Sequence, residues 1–397
     1  MLFLLQNIKI GKWKLPLPVL LWFTLATVAA LLEMSRGLSD INNFLIYRGV
    51  FIHTIHEQNL YLPYPTEYSD MNHYGPLFSI IIGPFALLPV YLGCFLWCLA
   101  NAWVLFYAIS QLPISKPQQN IILLIGLIEM MTAMHSVQFN TMLTGWILLS
   151  FVFVEKKQVF WATLFIALGI YVKLYGIVGL AFFFFTKDKI RFALSFLFWM
   201  ILLFCLPMLI SSPAYIVQCY QDWYHSLVEK NGTNIVLYET AGGMQDISFM
   251  GMIRRIFYIE QLPNYLFTIP AAILYMLPFL KTNQFTNIIF RLSYLALALI
   301  GVVIFSSSAE SPTYVIAVIG IAIWFISQDR PLSKLTIVLL ILTFVLTIIS
   351  PTDLVPKIIR DKVIIRYSLK ALPSVIIWFV LIYQLLKKDF SKAKIIN

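Results

Sequence analysis

Apolar runs recur along this chain from residue 15 to residue 387, separated by short polar breaks. The pattern predicts membrane-crossing helices at roughly 15–33, 91–112, 119–134, 138–154, 158–172, 174–187, 190–211, 263–280, 284–305, 312–327, 333–349 and 371–387. It describes an all-α integral membrane protein with about twelve transmembrane helices, built as one multispanning domain over residues 1–397. Three polar intervals, about 35–90, 212–262 and 351–370, are long enough to carry juxtamembrane helices of their own. In the first, Ile41, Phe44, Leu45, Val50 and Ile52 alternate with Asn42, Asn43, Tyr47, Arg48 and His53, too polar to span but periodic enough for a helix along the interface. Ser39 or Asp40 is placed to cap its N-terminus. Residues 75–89, GPLFSIIIGPFALLP, hold three prolines and are short for a span.

Composition narrows the class. With 60% hydrophobic and 12% charged residues, the chain has too little charge for a soluble domain of its length. Its formal charge of +10 reads as membrane topology and not as nucleic-acid binding. Lys9, Lys12 and Lys14 precede the first span, which puts the N-terminus in the cytoplasm and Asp40 outside. If residues 75–89 spanned, Lys116, Lys156 and Lys157 would fall outside; the positive-inside rule favours a re-entrant or interfacial segment. On that scheme both termini are cytoplasmic and the three long loops are external, with 17 Lys and Arg inside and 11 outside. Leu15–Leu32 is long enough to span and lacks a small-residue cleavage site, so it reads as a retained helix and not a secretory signal. The four cysteines and five histidines show no disulfide framework or metal-ligand spacing, and no cofactor motif is present. Gly242 and Gly243 read as a loop turn, without the strand that a dinucleotide site needs.

Four outward positions carry candidate chemistry. The first is Asp40, followed by Tyr47 and Arg48 and by Tyr61, Tyr64, Tyr68 and Tyr74. The second is the turn MHSVQFN, with His135, Gln138 and Asn140; the third is Lys173, alone between apolar runs; the fourth is SSSAESPTY, with Glu310 and Tyr314. Ionisable and amide groups beside apolar segments cost free energy unless they face a cavity or partner, so each is a functional candidate. Each also has a plain structural role: Asp40 or Glu310 as a helix cap, the amides in a tight turn, Lys173 snorkelling to the interface. A carboxylate at the membrane surface suits a general base acting on a hydroxyl, aromatic faces suit a sugar, and cations suit a phosphate leaving group. Five cations between the last two spans, Lys357, Arg360, Lys362, Arg366 and Lys370, depart from the positive-inside bias, as a donor-phosphate or headgroup site would. Glu129 and Arg291 stand inside apolar runs. A lipid-linked sugar transporter or flippase, or a polysaccharide polymerase or ligase, are the competing classes; no internal repeat is visible and the polar groups gather at one face.

The succession SDINNFLIYRG, NLYLPY, NHYGPLFSIIIGPFALLP, the QFN turn and YVKLYG resembles glycosyltransferase family 87, a branch of the C-type membrane glycosyltransferases that includes mannosyl- and arabinofuranosyltransferases. The likeness runs over about residues 35–320. Asp40 with Tyr47, Tyr74 before Pro76, Gln138 with Asn140, and Lys173 carry it; Val137 stands where the family pattern has Gly. The resemblance implies inverting transfer from a polyprenyl-phosphate sugar to a hydroxyl of a glycan or glycolipid acceptor at the external face of the inner membrane, with Asp40 as base. It implies substrate contacts from Tyr47, Tyr74, Gln138, Asn140 and Lys173, to which the charge and location of the residues add Arg48, Glu310 and Tyr314 as expected substrate contacts and Lys357, Arg360, Lys362 and Arg366 as expected donor-phosphate contacts; no metal ligand is expected.

Overall fold

Each predicted apolar run holds a helix in the computed structural model, which describes residues 6–10, 13–234, 245–259 and 261–390. Lys12, Gly242 and Gly243 lie outside the described residues. Among the described residues, four helices are long and apolar enough to cross a membrane: Leu17–Arg36, Val90–Ser110, Lys189–Leu209 and Leu369–Lys387. The other apolar helices are shorter, among them Asn140–Glu155, Val159–Lys173, Ile288–Ile304 and Ser311–Ile326. An antiparallel hairpin, Asn7–Ile10 with Trp13–Pro16, precedes the first helix and adds a strand pair to the expected all-α chain. The chain divides into two compact units, Met1–Pro113 with Met130–Glu229, and Ile114–Glu129 with Lys230–Asn397.

In the first unit, Asn140–Glu155 is buried along almost its whole length, because it packs against Val90–Ser110 on one side and Val159–Lys173 on the other. The chain reverses at Leu174, whose φ of 59° lies in the left-handed region, and returns as the 3-10 stretch Tyr175–Phe185. Gly169 and Gly176 meet across this reversal, where a Cβ on Gly169 would lie 2.7 Å from the Gly176 Cα. Neither position has room for a side chain, so the two segments pack backbone to backbone.

The interfacial helix of the first loop is Asn42–Ile55. Ile41 is its N-cap residue and no side chain caps it. The expected cap from Ser39 or Asp40 is therefore not made: the chain leaves Leu17–Arg36 through a turn over residues 38–41, and the helix begins one residue too late for Asp40 to cap it.

Residues 75–89 contain one helix, Phe78–Ala86, of nine residues. At about 1.5 Å per residue it is under half the ~30 Å hydrocarbon thickness. Contacts across it are more decisive. His135 Nδ1 lies 3.1 Å from Glu33 Oε2, Asn43 Nδ2 donates to Ser136 O at 2.7 Å, and Gly75 N donates to Val172 O at 3.1 Å. Residues 33, 43 and 75 precede the segment and residues 135, 136 and 172 follow it. Were it a span, each pair would stand at opposite ends of the helices, so residues 75–89 return the chain to the end they leave.

In the second unit, Ile288–Ile304 and Tyr314–Ile326 form a buried helix pair, with Leu372–Lys387 packed on both. At one end of this group Trp324 Nε1 donates to Gln384 Oε1 at 3.2 Å and Lys388 Nζ to Asp329 Oδ2 at 2.6 Å.

Candidate functional site

Asp40 sits exposed on the turn after the first helix, and its Oδ2 accepts from Ser39 Oγ at 3.0 Å. The turn is braced on both sides by one segment. Before it, the buried Glu33 carboxylate takes Arg36 Nη1 and His135 Nδ1, each at 3.1 Å; after it, Asn43 donates to Ser136 O. The segment 135–140 that holds Asp40's turn also carries Gln138 and Asn140.

Asn140 joins that brace to Lys173. Lys173 Nζ donates to Asn140 Oδ1 at 2.7 Å, and Asn140 Nδ2 donates to Gln138 Oε1 at 3.1 Å. The same ammonium lies 5.7 Å from the ring centre of Tyr74 and 5.4 Å from that of Tyr175, within cation–π range. Tyr74 OH is 3.1 Å from Tyr47 OH, and the two rings meet edge to face at 5.2 Å. Beneath them Phe78, Trp97 and Phe139 continue the aromatic packing, with Tyr74 stacked on Phe78 at 4.8 Å. Edge-to-face and stacked pairs contribute about 0.5–1.5 kcal/mol each beyond burial, so Tyr74 is held firmly. Arg48 Nε donates to Ala86 O at 3.0 Å.

Gly75 makes this placement of Tyr74 possible. A Cβ there would lie 2.0 Å from Tyr171 O, a backbone atom that cannot give way. Reading the sequence picked out Tyr74 and Pro76 but not the glycine between them; its sign was the YGP triplet itself. Val137 answers the family pattern from the opposite direction. Its φ of 49° lies where glycine is at ease and a β-branched residue is strained. Val137→Gly would relieve about 1–2 kcal/mol of strain, and would forfeit about 1.5–2 kcal/mol from the loss of a buried side chain. The two nearly cancel, so thermal unfolding of Val137→Gly is expected within about 1 kcal/mol of the parent; a loss of 3 kcal/mol or more would refute this reading of the turn.

The rest of the first loop is clamped by the helix Pro213–Asn234. Trp223 Nε1 donates to His73 O at 3.0 Å, Ser212 N donates to Glu57 Oε1 at 2.8 Å, and hydrogen bonding from the Ser212 side chain, then its backbone, holds the Glu57 carboxyl below its usual range. Burial pushes the Cys219 thiol up to about 11. His53 Nε2 lies 3.1 Å from Glu67 Oε2, with Tyr64 packed on its ring at 4.0 Å. Burial and the Glu67 charge raise the Tyr64 and Tyr68 phenols, so both stay protonated at neutral pH.

The second unit holds the other candidates. Glu310 N–H donates to Thr313 Oγ1 at 3.2 Å in a capping box at the start of Ser311–Thr313. Tyr314 OH donates to Ile247 O at 2.8 Å. In the last loop Arg360 pairs with Asp353 and Asp361, each at 3.2 Å, and Arg366 Nη2 donates to Tyr258 OH at 2.6 Å, while Lys357 and Lys362 are exposed. Two buried ion pairs join them. Arg254 Nη1 meets Asp246 Oδ2 at 2.5 Å, and burial raises the Asp246 carboxyl against the pull of the arginines. Lys370 Nζ meets Glu129 Oε1 at 2.9 Å. The latter pair was half visible in the sequence, as an acid inside an apolar run whose partner lies 241 positions away. Among the described residues, no cluster of three or more His, Cys, Asp and Glu side chains is arranged to hold a metal.

The family model for glycosyltransferase family 87 matches residues 72–351. Among solved structures, the crystal structure of ArnT from Cupriavidus metallidurans bound to undecaprenyl phosphate is similar at 10% identity and a TM-score of 0.37, over 92% of this chain and 77% of that one. No curated protein matches.

Proposed function

The chain belongs to glycosyltransferase family 87, and from that premise we propose that it moves a sugar from a polyprenyl-phosphate donor to a hydroxyl of a glycan or glycolipid, at the external face of the inner membrane and with inversion. The observation that carries the reading is the brace over residues 135–140, which supports the turn of Asp40 on one side and holds Lys173 through Asn140 on the other. A base and a cation whose supports meet on one segment suit a displacement that takes a proton from one oxygen and puts charge on another. Asp40 accepts the proton of the acceptor hydroxyl; that oxygen bonds to the anomeric carbon as the carbon–phosphate oxygen bond breaks, and polyprenyl phosphate leaves with the electron pair. Lys173 attracts the growing negative charge, and Tyr74, backed by Tyr47, offers a flat face to the sugar. Arg48, Gln138 and Asn140 complete the substrate contacts of the first unit. Within the second unit, taken by itself, Glu310 and Tyr314 are the substrate-binding residues proposed.

The proposal includes twelve spans with both termini cytoplasmic, and external loops at about 35–90, 212–262 and 351–370. Lys357, Arg360, Lys362 and Arg366 then serve the donor phosphate. A cation near a phosphate-bearing surface is worth about 1 kcal/mol, and Arg360 is already partly neutralised by its two aspartates. Replacing all four with Gln is expected to raise the donor KM about tenfold or more, with kcat nearly unchanged; an unchanged donor KM would remove the loop from the site. The function itself is tested by incubating purified protein with a panel of polyprenyl-phosphate sugars and acceptors. Acceptor-dependent release of free polyprenyl phosphate is the expected result, and translocation across vesicles with no donor consumed would point to transport instead.

A further inference from the structure

The second unit buries a charge pair that the proposed chemistry does not use. Glu129 is 0% exposed and Lys370 4%. Lys370 Nζ lies 2.9 Å from Glu129 Oε1 and donates to Ser311 Oγ at 2.9 Å, with the Tyr314 ring centre 5.1 Å away. Thr347 Oγ1 donates to Lys370 O at 2.9 Å and fixes the backbone from which the lysine extends. The turn it reaches is clasped a second time: Ile247 N donates to Ala309 O at 2.8 Å, and Tyr314 OH returns to Ile247 O at 2.8 Å.

Such a pair adds little to stability. Desolvating two charges offsets most of their attraction, and well-packed apolar replacements are commonly neutral or stabilising. Glu129 Oε2 is buried without a hydrogen-bond partner among the described residues, a further cost. What the pair supplies is position: one ammonium fixes Ser311, the residue after Glu310 and the first of three that lead to the helix beginning at Tyr314. We propose that Glu129 and Lys370 are positioning residues that tether the turn 309–314 so that Glu310 and Tyr314 meet substrate in a fixed orientation. The inference rests on the assignment of Glu310 and Tyr314 to substrate binding.

Three variants test it: the double replacement Glu129→Leu with Lys370→Met, the single change Ser311→Ala, and Lys370→Arg. Amide hydrogen exchange of full-length protein in detergent is read at residues 306–314, and KM and kcat are read with the polyprenyl-phosphate sugar on which the wild type turns over. Loss of a hydrogen bond to a charged group predicts exchange about tenfold faster in the double variant and about threefold faster in Ser311→Ala, with thermal midpoints near the wild type. KM should rise by similar factors while kcat changes less, and Lys370→Arg should stay within about twofold of wild type. A merely structural role would lower the active fraction, and with it the apparent kcat, and leave KM alone. Unchanged exchange and KM in a folded double variant overturn the tether. Should the double variant not fold, unchanged exchange and KM in Ser311→Ala overturn it equally. A wild type that consumes no donor defeats the glycosyltransfer reading, while the exchange data still decide the tether.

Discussion

Asp40→Asn is expected to lower kcat by about a thousandfold or more while leaving the fold intact. General-base catalysis contributes roughly 10²–10⁴ in rate, and the amide keeps the shape of the carboxylate while losing its basicity. The structure gives reason to expect no loss of stability. Asp40 is exposed, its side-chain hydrogen bond among the described residues is to the neighbouring Ser39, and it does not cap Asn42–Ile55. Surface changes away from caps and buried networks usually stay within about 0.5 kcal/mol. Purified Asp40→Asn should therefore show a thermal midpoint like the wild type and almost no release of polyprenyl phosphate. Wild-type turnover by this variant would remove Asp40 from the chemistry.

The second large effect is expected at Lys173. Its ammonium is held by Asn140 Oδ1 and lies beside the rings of Tyr74 and Tyr175. Lys173→Met keeps much of the apolar stem and removes the charge. If that charge meets the departing phosphate, the loss should resemble that of one preorganised charge-stabilising donor, about 10²–10³ in kcat, equivalent to roughly 2.7–4 kcal/mol. Asn140→Ala removes the hydrogen-bond partner and not the charge, so it should cost less, about tenfold. Steady-state kinetics of the two side by side check the order. Equal losses would mean that Lys173 acts only by packing.

Much of the helical layout was legible because apolar periodicity reports directly which stretches can be buried or face lipid. Asp40, Tyr74, Gln138, Asn140 and Lys173 were each visible as polar groups at the borders of apolar runs, and the last four meet in one hydrogen-bonded and aromatic cluster. What was hidden depends on which ends meet. The course of residues 75–89 could not be read from their composition; it follows from the contacts of Glu33, Asn43 and Gly75 with residues far along the chain. Gly75 looks like an ordinary turn glycine until Tyr171 O is seen against it. Val137 departs from the expected Gly in letter, yet its own backbone is left-handed, a conformation that glycine adopts without strain. Lys370 read as one more loop cation, because nothing local marks a partner on a distant helix.

The single displacement proposed for Asp40 would fix the stereochemistry of the product, since the acceptor oxygen would then approach the anomeric carbon from the face opposite the leaving phosphate. The anomeric configuration of the purified product, measured by NMR coupling constants against that of the polyprenyl-phosphate donor, tests this most directly. Inversion is the expected result. Retention would contradict it, because retention requires either a second displacement through a covalent intermediate or same-face attack, and neither is a single inverting step with Asp40 as its general base.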